Sequence, residues 1–273
     1  MTRDNKLIYG WIRKATGLDN IKMIIFIIIS LAGFIGVWWL IAEYIYISEY
    51  LPTPLLVWDA FINSFTHRDP VMGIDMWQNI SSSLQRFAYG FLLAFIIAVP
   101  AGLLMGFSKL LDMLIKPVVE VFRPIPPIAW VPIFLLALGI FWGPIVVIFI
   151  GVFFPLLSNV YFGVKSVDPV LLDAARTQGA GRFDIFGKVI LPSTVPFIMT
   201  GIRIGLGIGW MCIVAAEMIG ARGGGVGYYI SIQGQIGNYP GMFAGIAVIA
   251  ILGILTTGVM GQIEKKLNQR MGF

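Results

Sequence analysis

The stretch SVDPVLLDAARTQGAGRFDIFGKVILP, Ser166 to Pro192, is a long polar passage with internal order in an otherwise apolar chain. Asp168 has the side chain of a good N-cap, Pro169 falls at the first helical position, and Gly179 is placed as a C-terminal stop, so a helix of about two and a half turns is written with its punctuation. A second short helix, about 182 to 190, would put Phe183, Phe186 and Ile190 on one face and end at Pro192. Joining two antiparallel helices usually takes about 2 to 8 residues, and this loop uses far more. Small Ala174, Ala175, Gly179 and Ala180 at its elbow let another surface approach the backbone closely. Length beyond need, with ordered caps, points to a docking element rather than a simple connection.

The residues around this loop are of another kind. Of 273 residues, 58% are apolar and 12% charged, about half the charge of a soluble globular domain. The apolar residues fall in runs of about 20, the length that spans a bilayer's hydrocarbon core. This excludes a secreted or cytosolic enzyme. A single cysteine, Cys212, permits no intrachain disulfide, and a single histidine, His67, leaves no Cys/His metal cluster. There is no Walker motif, and ARGGGVGYY at 221–229 has no Lys-Ser/Thr after its last glycine, so the chain holds no nucleotide of its own. Nor does His67, beside Asp69, have a placed nucleophile.

Hydropathy predicts six transmembrane helices at 22–47, 84–108, 124–139, 143–164, 194–219 and 240–262, making an all-α, polytopic membrane protein. The third is short, and Pro124, Pro126, Pro127 and Pro132 in its first half imply a kinked or partly extended start. Thr53 to Phe65 reads as a short amphipathic helix at the outer interface, and Trp38, Trp39, Tyr44, Tyr46 and Tyr50 as an aromatic belt. Of 19 Lys and Arg, 15 fall in the N-terminal tail (1–21, with Lys22), the second and fourth loops, and the C-terminal tail (263–273). The positive-inside rule then places both termini and both loops in the cytoplasm, the fourth being 165–192. The net charge of +5 is thereby a topology signal and needs no nucleic-acid partner.

Acidic-Ala-Ala, three residues, Gly-Ala, then Phe and finally Leu-Pro is the pattern set by Asp173, Ala174, Ala175, Gly179, Ala180, Phe183, Phe186, Leu191 and Pro192. It resembles the EAA loop of type I ABC importer permeases, with Asp173 where many members have Glu. RPIPPIAWVP at 123–132 and GIRIGLGIGWMCIVAAEMIGARGGGVGYYI at 201–230 resemble the nitrate, sulfonate and taurine branch of that family. The resemblance implies a six-span permease domain over 22–262 in the inner membrane of a bacterial or archaeal cell. It also implies a homodimer, two cytoplasmic ATPase subunits that bind the ATP and Mg and receive the 165–192 coupling helices, and an extracytoplasmic solute-binding protein. The transported solute would be a small anion, carried by alternating access. On this reading the chain is not an enzyme and carries no metal or cofactor.

Two charges fall within the fifth span, Arg203 and Glu217. A charge at mid-bilayer costs at least about 2.5 to 3.5 kcal/mol, so each needs a partner or a water-filled path. At about 1.5 Å per residue they stand about 21 Å apart, too far to pair. Arg203 either attracts an anion or holds the spans together through a carboxylate, and Glu217 is a structural pair or a gate contact. Trp210, Met211 and Cys212 are further candidates for the substrate path. Gly201, Gly205 and Gly209 recur at the four-residue spacing that lets membrane helices approach closely, with Gly207 off the stripe. An ion-coupled secondary transporter is the alternative class, and its mark would be intramembrane carboxylates near the midplane.

Overall fold

A computed structural model describes residues 4–44, 50–220 and 223–271. Arg3, Tyr46 and Arg222, which entered the charge count and the aromatic belt, lie outside these. The chain divides into two units, 1–60 and 61–273. In the first, α1 (Asp4–Tyr44) contains an apolar stretch, Ile24–Tyr44, long enough to cross a membrane. The amphipathic helix expected at 53–65 is α2 (Pro54–Thr66), which runs across the division between the units.

The second unit is built on α3 (Met76–Phe107), α4 (Lys109–Phe122), α5 (Val131–Lys165), α6 (Pro169–Thr177), α7 (Arg182–Ile185), α8 (Leu191–Gly220), α9 (Val226–Gln235) and α10 (Tyr239–Met271). Among the described residues every regular element is helical. Its core lies where α3, α5 and α8 meet. Val147, Ile148, Val152, Leu156 and Val160 of α5 recur at helical spacing and are wholly buried. The stripe of Gly201, Gly205 and Gly209 lies against them: β-carbons there would come within 2.9 Å of Leu156, Val152 and Phe87 in turn, whereas one at Gly207 would meet nothing within 4 Å. Close approach of α8 to α5 thus depends on that spacing.

Among the described residues five helical stretches, not six, are each long and apolar enough to cross a membrane. The expected spans 124–139 and 143–164 fall in one element, Pro127–Lys165, broken only where Gly139 takes φ 77°. The proline-rich piece is a turn at 123–126, a 3₁₀ turn at Pro127–Trp130 and two helical turns up to Gly139, too short to cross alone. It continues α4, which starts beside the far end of α5: Asp112 sits 3.5 Å from Lys165 and accepts from the Tyr161 hydroxyl at 3.1 Å. Higher up, Leu135 meets Gly143 and Gly220. The segment 109–138 therefore starts beside one end of the 140–165 part of α5 and finishes beside the other, as one broken passage.

Other boundaries also move. α3 begins at Met76 rather than 84, because Asp75 and Gln78 form a capping box, with the Gln78 N–H 2.8 Å from the Asp75 carboxylate. α10 continues past 262 to Met271, since IEKKLNQRM holds no helix breaker.

Candidate functional site

The 165–192 loop folds as its punctuation implies. The Val170 N–H donates to Asp168 Oδ1 at 2.8 Å, starting α6. At its end Gly179 takes φ 82°, its N–H donates to the Arg176 carbonyl, and the Ala180 N–H reaches back to that of Ala175 at 3.0 Å. This is the paired closure that a left-handed glycine permits. Asp173 is exposed and pairs with Arg176 at 2.9 Å; Ala174 and Gly179 are exposed, Ala175 and Ala180 half-buried.

The second half of the loop departs from expectation in two ways. Phe183 does not share a buried face with Phe186 and Ile190. Phe186 packs on Phe107 with ring centroids 5.0 Å apart and Ile190 is buried, while Phe183 is 87% exposed. Arg182, one residue earlier, lies over the Phe107 ring at 4.7 Å. Nor does the helix end at Pro192. Residues 186–190 form a stretch of wider π-helix, in which the Leu191 N–H bonds to the Phe186 carbonyl, and the chain passes straight into α8. The missing N–H of Pro192 is tolerated where hydrogen-bond spacing is already shifted. Phe183 joins Val170 and Leu171 as large exposed apolar side chains on this loop.

The candidates on α8 separate. Trp210 is buried, stacked on Phe87 at 4.7 Å and donating its indole N–H to Thr256 at 2.9 Å; Cys212 is buried against Gly151. Both belong to the packing between helices. Arg203 and Met211, two turns apart, instead line an open groove of about 640 Å³ with Gly207 and with Ile254, Thr257 and Gly258 of α10. Arg203 finds its carboxylate in Glu264, 3.2 Å away, and remains 58% exposed.

Glu217 is wholly buried and fully engaged. Arg86 Nη1 donates to Oε1 at 2.7 Å, the Ser83 hydroxyl lies 2.8 Å from Oε2, and the Gly227 N–H donates to Oε2 at 3.0 Å. Arg86 also donates to the Gly224 carbonyl at 2.7 Å, the Ser83 hydroxyl accepts from the Val226 N–H, and Asn79 Oδ1 accepts from the Gly225 N–H at 2.9 Å. Two side chains of α3, Ser83 and Arg86, thus meet one carboxylate on α8, and with Asn79 one turn earlier they clasp the glycine loop before α9. Gly225 has φ 133°, and a β-carbon there would lie 2.5 Å from the Glu217 carboxyl. Sequence reasoning missed Asn79, Ser83 and Arg86, although a lone arginine in an apolar span already asks for a buried acid. Nearby, Gln233 of α9 bonds to Asp69 and to Asn238, and burial, with the Asp69 charge, pushes the Tyr229 phenol up to about 12.

The profile of the family described as binding-protein-dependent transport system inner membrane component matches residues 98–269. The taurine transport system permease protein TauC of Escherichia coli is 34% identical over 88% of this chain and 87% of its own. A nitrate import permease protein, NrtB of Leptolyngbya laminosa, is 36% identical over 77% of this chain and 75% of its own. A protein of Methanocaldococcus jannaschii named among ABC transporter permeases is 38% identical, covering 84% and 86%. Among solved structures, an inward-facing form of the MetNI methionine ABC transporter superposes with a TM-score of 0.61 at 22% identity, covering 70% of this chain and 97% of that one. A long polar loop with explicit caps, an α8 laid on α5 by a glycine stripe, and a profile match over most of the chain agree: the protein belongs to the binding-protein-dependent inner membrane component family, and is a permease of an ABC transport system in the nitrate, sulfonate and taurine branch.

Proposed function

We propose that this permease is one of two identical copies that form the path for a small oxyanion-bearing solute such as a sulfonate or nitrate, handed over by a solute-binding protein and driven by two cytoplasmic ATPases. The relatives' names, taurine and nitrate among them, support the solute class. The observation that carries the reading is the exposed apolar set Val170, Leu171 and Phe183 on a loop that is otherwise capped and closed. Large exposed apolar side chains on an ordered polar loop mark a protein contact.

The distribution of basic residues supports the orientation. Counted with the broken 109–138 segment, the five long helices of the described residues would make six traverses, with α6 and α7 on the cation-rich side that the positive-inside rule reads as cytoplasmic. ATP and Mg would be bound by the partner subunits, whose closure would move the loops and tilt the two permeases between inward and outward openings. The ion-coupled alternative draws no support, because Glu217, the carboxylate it would need to titrate, is occupied by Arg86, Ser83 and Gly227.

Co-purification with the cognate ATPase tests the docking surface. Phe183→Asp should abolish ATPase capture and uptake while leaving the melting temperature of the permease unchanged. Normal ATPase capture by that variant would refute docking at this loop.

A further inference from the structure

Between α4 and the last turns of α5 lies a pocket of about 420 Å³ that the import reading does not use. Lys116, Arg123 and Lys165 converge on it, with the hydroxyls of Ser158 and Tyr161. The cations are unevenly satisfied. Lys165 shares Asp112 with Tyr161, at 3.5 Å and 3.1 Å. Lys116 reaches Glu120, which also lines the pocket, only at 3.8 Å, with both side chains more than half exposed. The Arg123 guanidinium and the Ser158 hydroxyl have no ion-pair or hydrogen-bond partner among the described residues. Three cations against Asp112 and Glu120 leave one positive charge, centred on the unpaired guanidinium, whose planar fork suits a phosphate.

The rest of the surroundings select the kind of anion. Val119 and Phe162 wall the pocket, and Phe162 is 56% exposed, while the opposite face of α4 exposes Leu114, Val118 and Val121 at 56% or more. A cationic pocket with an exposed aromatic wall, beside a helix whose outer face is apolar, suits a ligand with a charged head and hydrocarbon tails. Basic pockets between membrane helices on the cation-rich side take anionic lipid heads in this way. We propose that the α4–α5 pocket binds the phosphate of an anionic phospholipid, with Arg123 as the principal contact, Lys116, Lys165 and Ser158 around it, and the acyl chains beside exposed Phe162. One phosphodiester would neutralise the single surplus charge and tie the broken 109–138 passage to α5. The inference depends on residence in a bilayer and not on what the protein transports.

The full-length protein, purified in detergent and stripped of native lipid, provides the test. Native mass spectrometry and thermal melting would be followed with short-chain phosphatidylglycerol, with phosphatidylcholine of the same chain length, and with inorganic phosphate. Phosphatidylglycerol should bind saturably and raise the melting temperature while phosphatidylcholine does not. Arg123→Gln should weaken that binding at least tenfold, and Lys265→Gln, on the distant end of α10, should leave it unchanged. If Arg123→Gln does not assemble, Lys116→Gln carries the same comparison, with a loss of several-fold expected. Equal binding of the two lipids, or full affinity in the assembled variant, overturns the proposal. Binding of inorganic phosphate without phosphatidylglycerol would overturn it too, by making the site one for a soluble anion.

Discussion

Arg203 and Glu217 sit on one helix, each a charge in an apolar stretch, and their surroundings could hardly differ more. Glu217 is sealed from solvent and receives hydrogen bonds from Arg86, Ser83 and Gly227. Arg203 keeps 58% of its side chain exposed along an open groove and touches one carboxylate, Glu264. The contrast shows that an intramembrane charge has no fixed meaning. One is absorbed into a structural knot by two side chains of α3 and a backbone N–H of α9. The other was left at a surface where its field reaches outward, which is where a second copy or an anionic solute can feel it.

The contrast can be broken most forcefully at Glu217. Removing one partner of a buried ion pair costs about 3 to 5 kcal/mol because the survivor is stranded. Glu217→Ala should therefore fail to accumulate in the membrane, or melt far below the parent in detergent. Replacing both ends with apolar residues, Glu217→Leu with Arg86→Met, should recover part of that loss. No recovery in the double variant would mean that the backbone bonds to the glycine loop matter more than the charge pair. Gly225→Ala comes next. It puts a β-carbon into the Glu217 carboxyl at a φ of 133°, and should lower thermal stability with a phenotype resembling loss of Glu217.

Smaller effects belong to the exposed regions. Gly179→Ala forces a β-carbon into the left-handed region at a cost of about 1 to 2 kcal/mol. Because that strain sits in the elbow proposed to dock the ATPase, coupled ATPase activity should fall while the melting temperature scarcely moves. Arg203→Gln should be the mildest for stability, since an exposed pair contributes about 0 to 1 kcal/mol. Uptake measurements then sharpen the comparison: reduced uptake with normal assembly marks Arg203 as part of the path, and unchanged uptake marks it as a strut to Glu264.

What was legible in the sequence divides along the same line. Asp168, Gly179 and the four-residue glycine spacing act over a turn or two of helix, so their consequences could be read locally. The capping box of Asp75 and Gln78 was equally local and was overlooked, which is why α3 was started eight residues late. The clasp was out of reach in detail, since Arg86 and Glu217 stand 131 residues apart and only the fold brings them together. Periodicity alone puts Phe183 on one face with Phe186 and Ile190, yet Phe183 is 87% exposed while Arg182 lies over the Phe107 ring. Pro192 was read as a stop, whereas the widened turns before it let the helix continue. Proline reports a missing donor, and the preceding turns decide whether that ends a helix.

That continuity has a mechanical consequence. From Arg182 to Gly220 the chain is 39 residues of uninterrupted helix, about 58 Å at about 1.5 Å per residue. It starts beside exposed Phe183 and finishes at the knot around Glu217. Such a rod is a lever arm with no joint between its handle and its load, except for the softer π-helical turns at 186–190. A tilt of about 5° at the handle would sweep the far end through about 5 Å, comparable to one helical turn. Whatever grips the loop at one end therefore moves the glycine clasp at the other directly, and the π-helical turns set how much of the push is lost on the way.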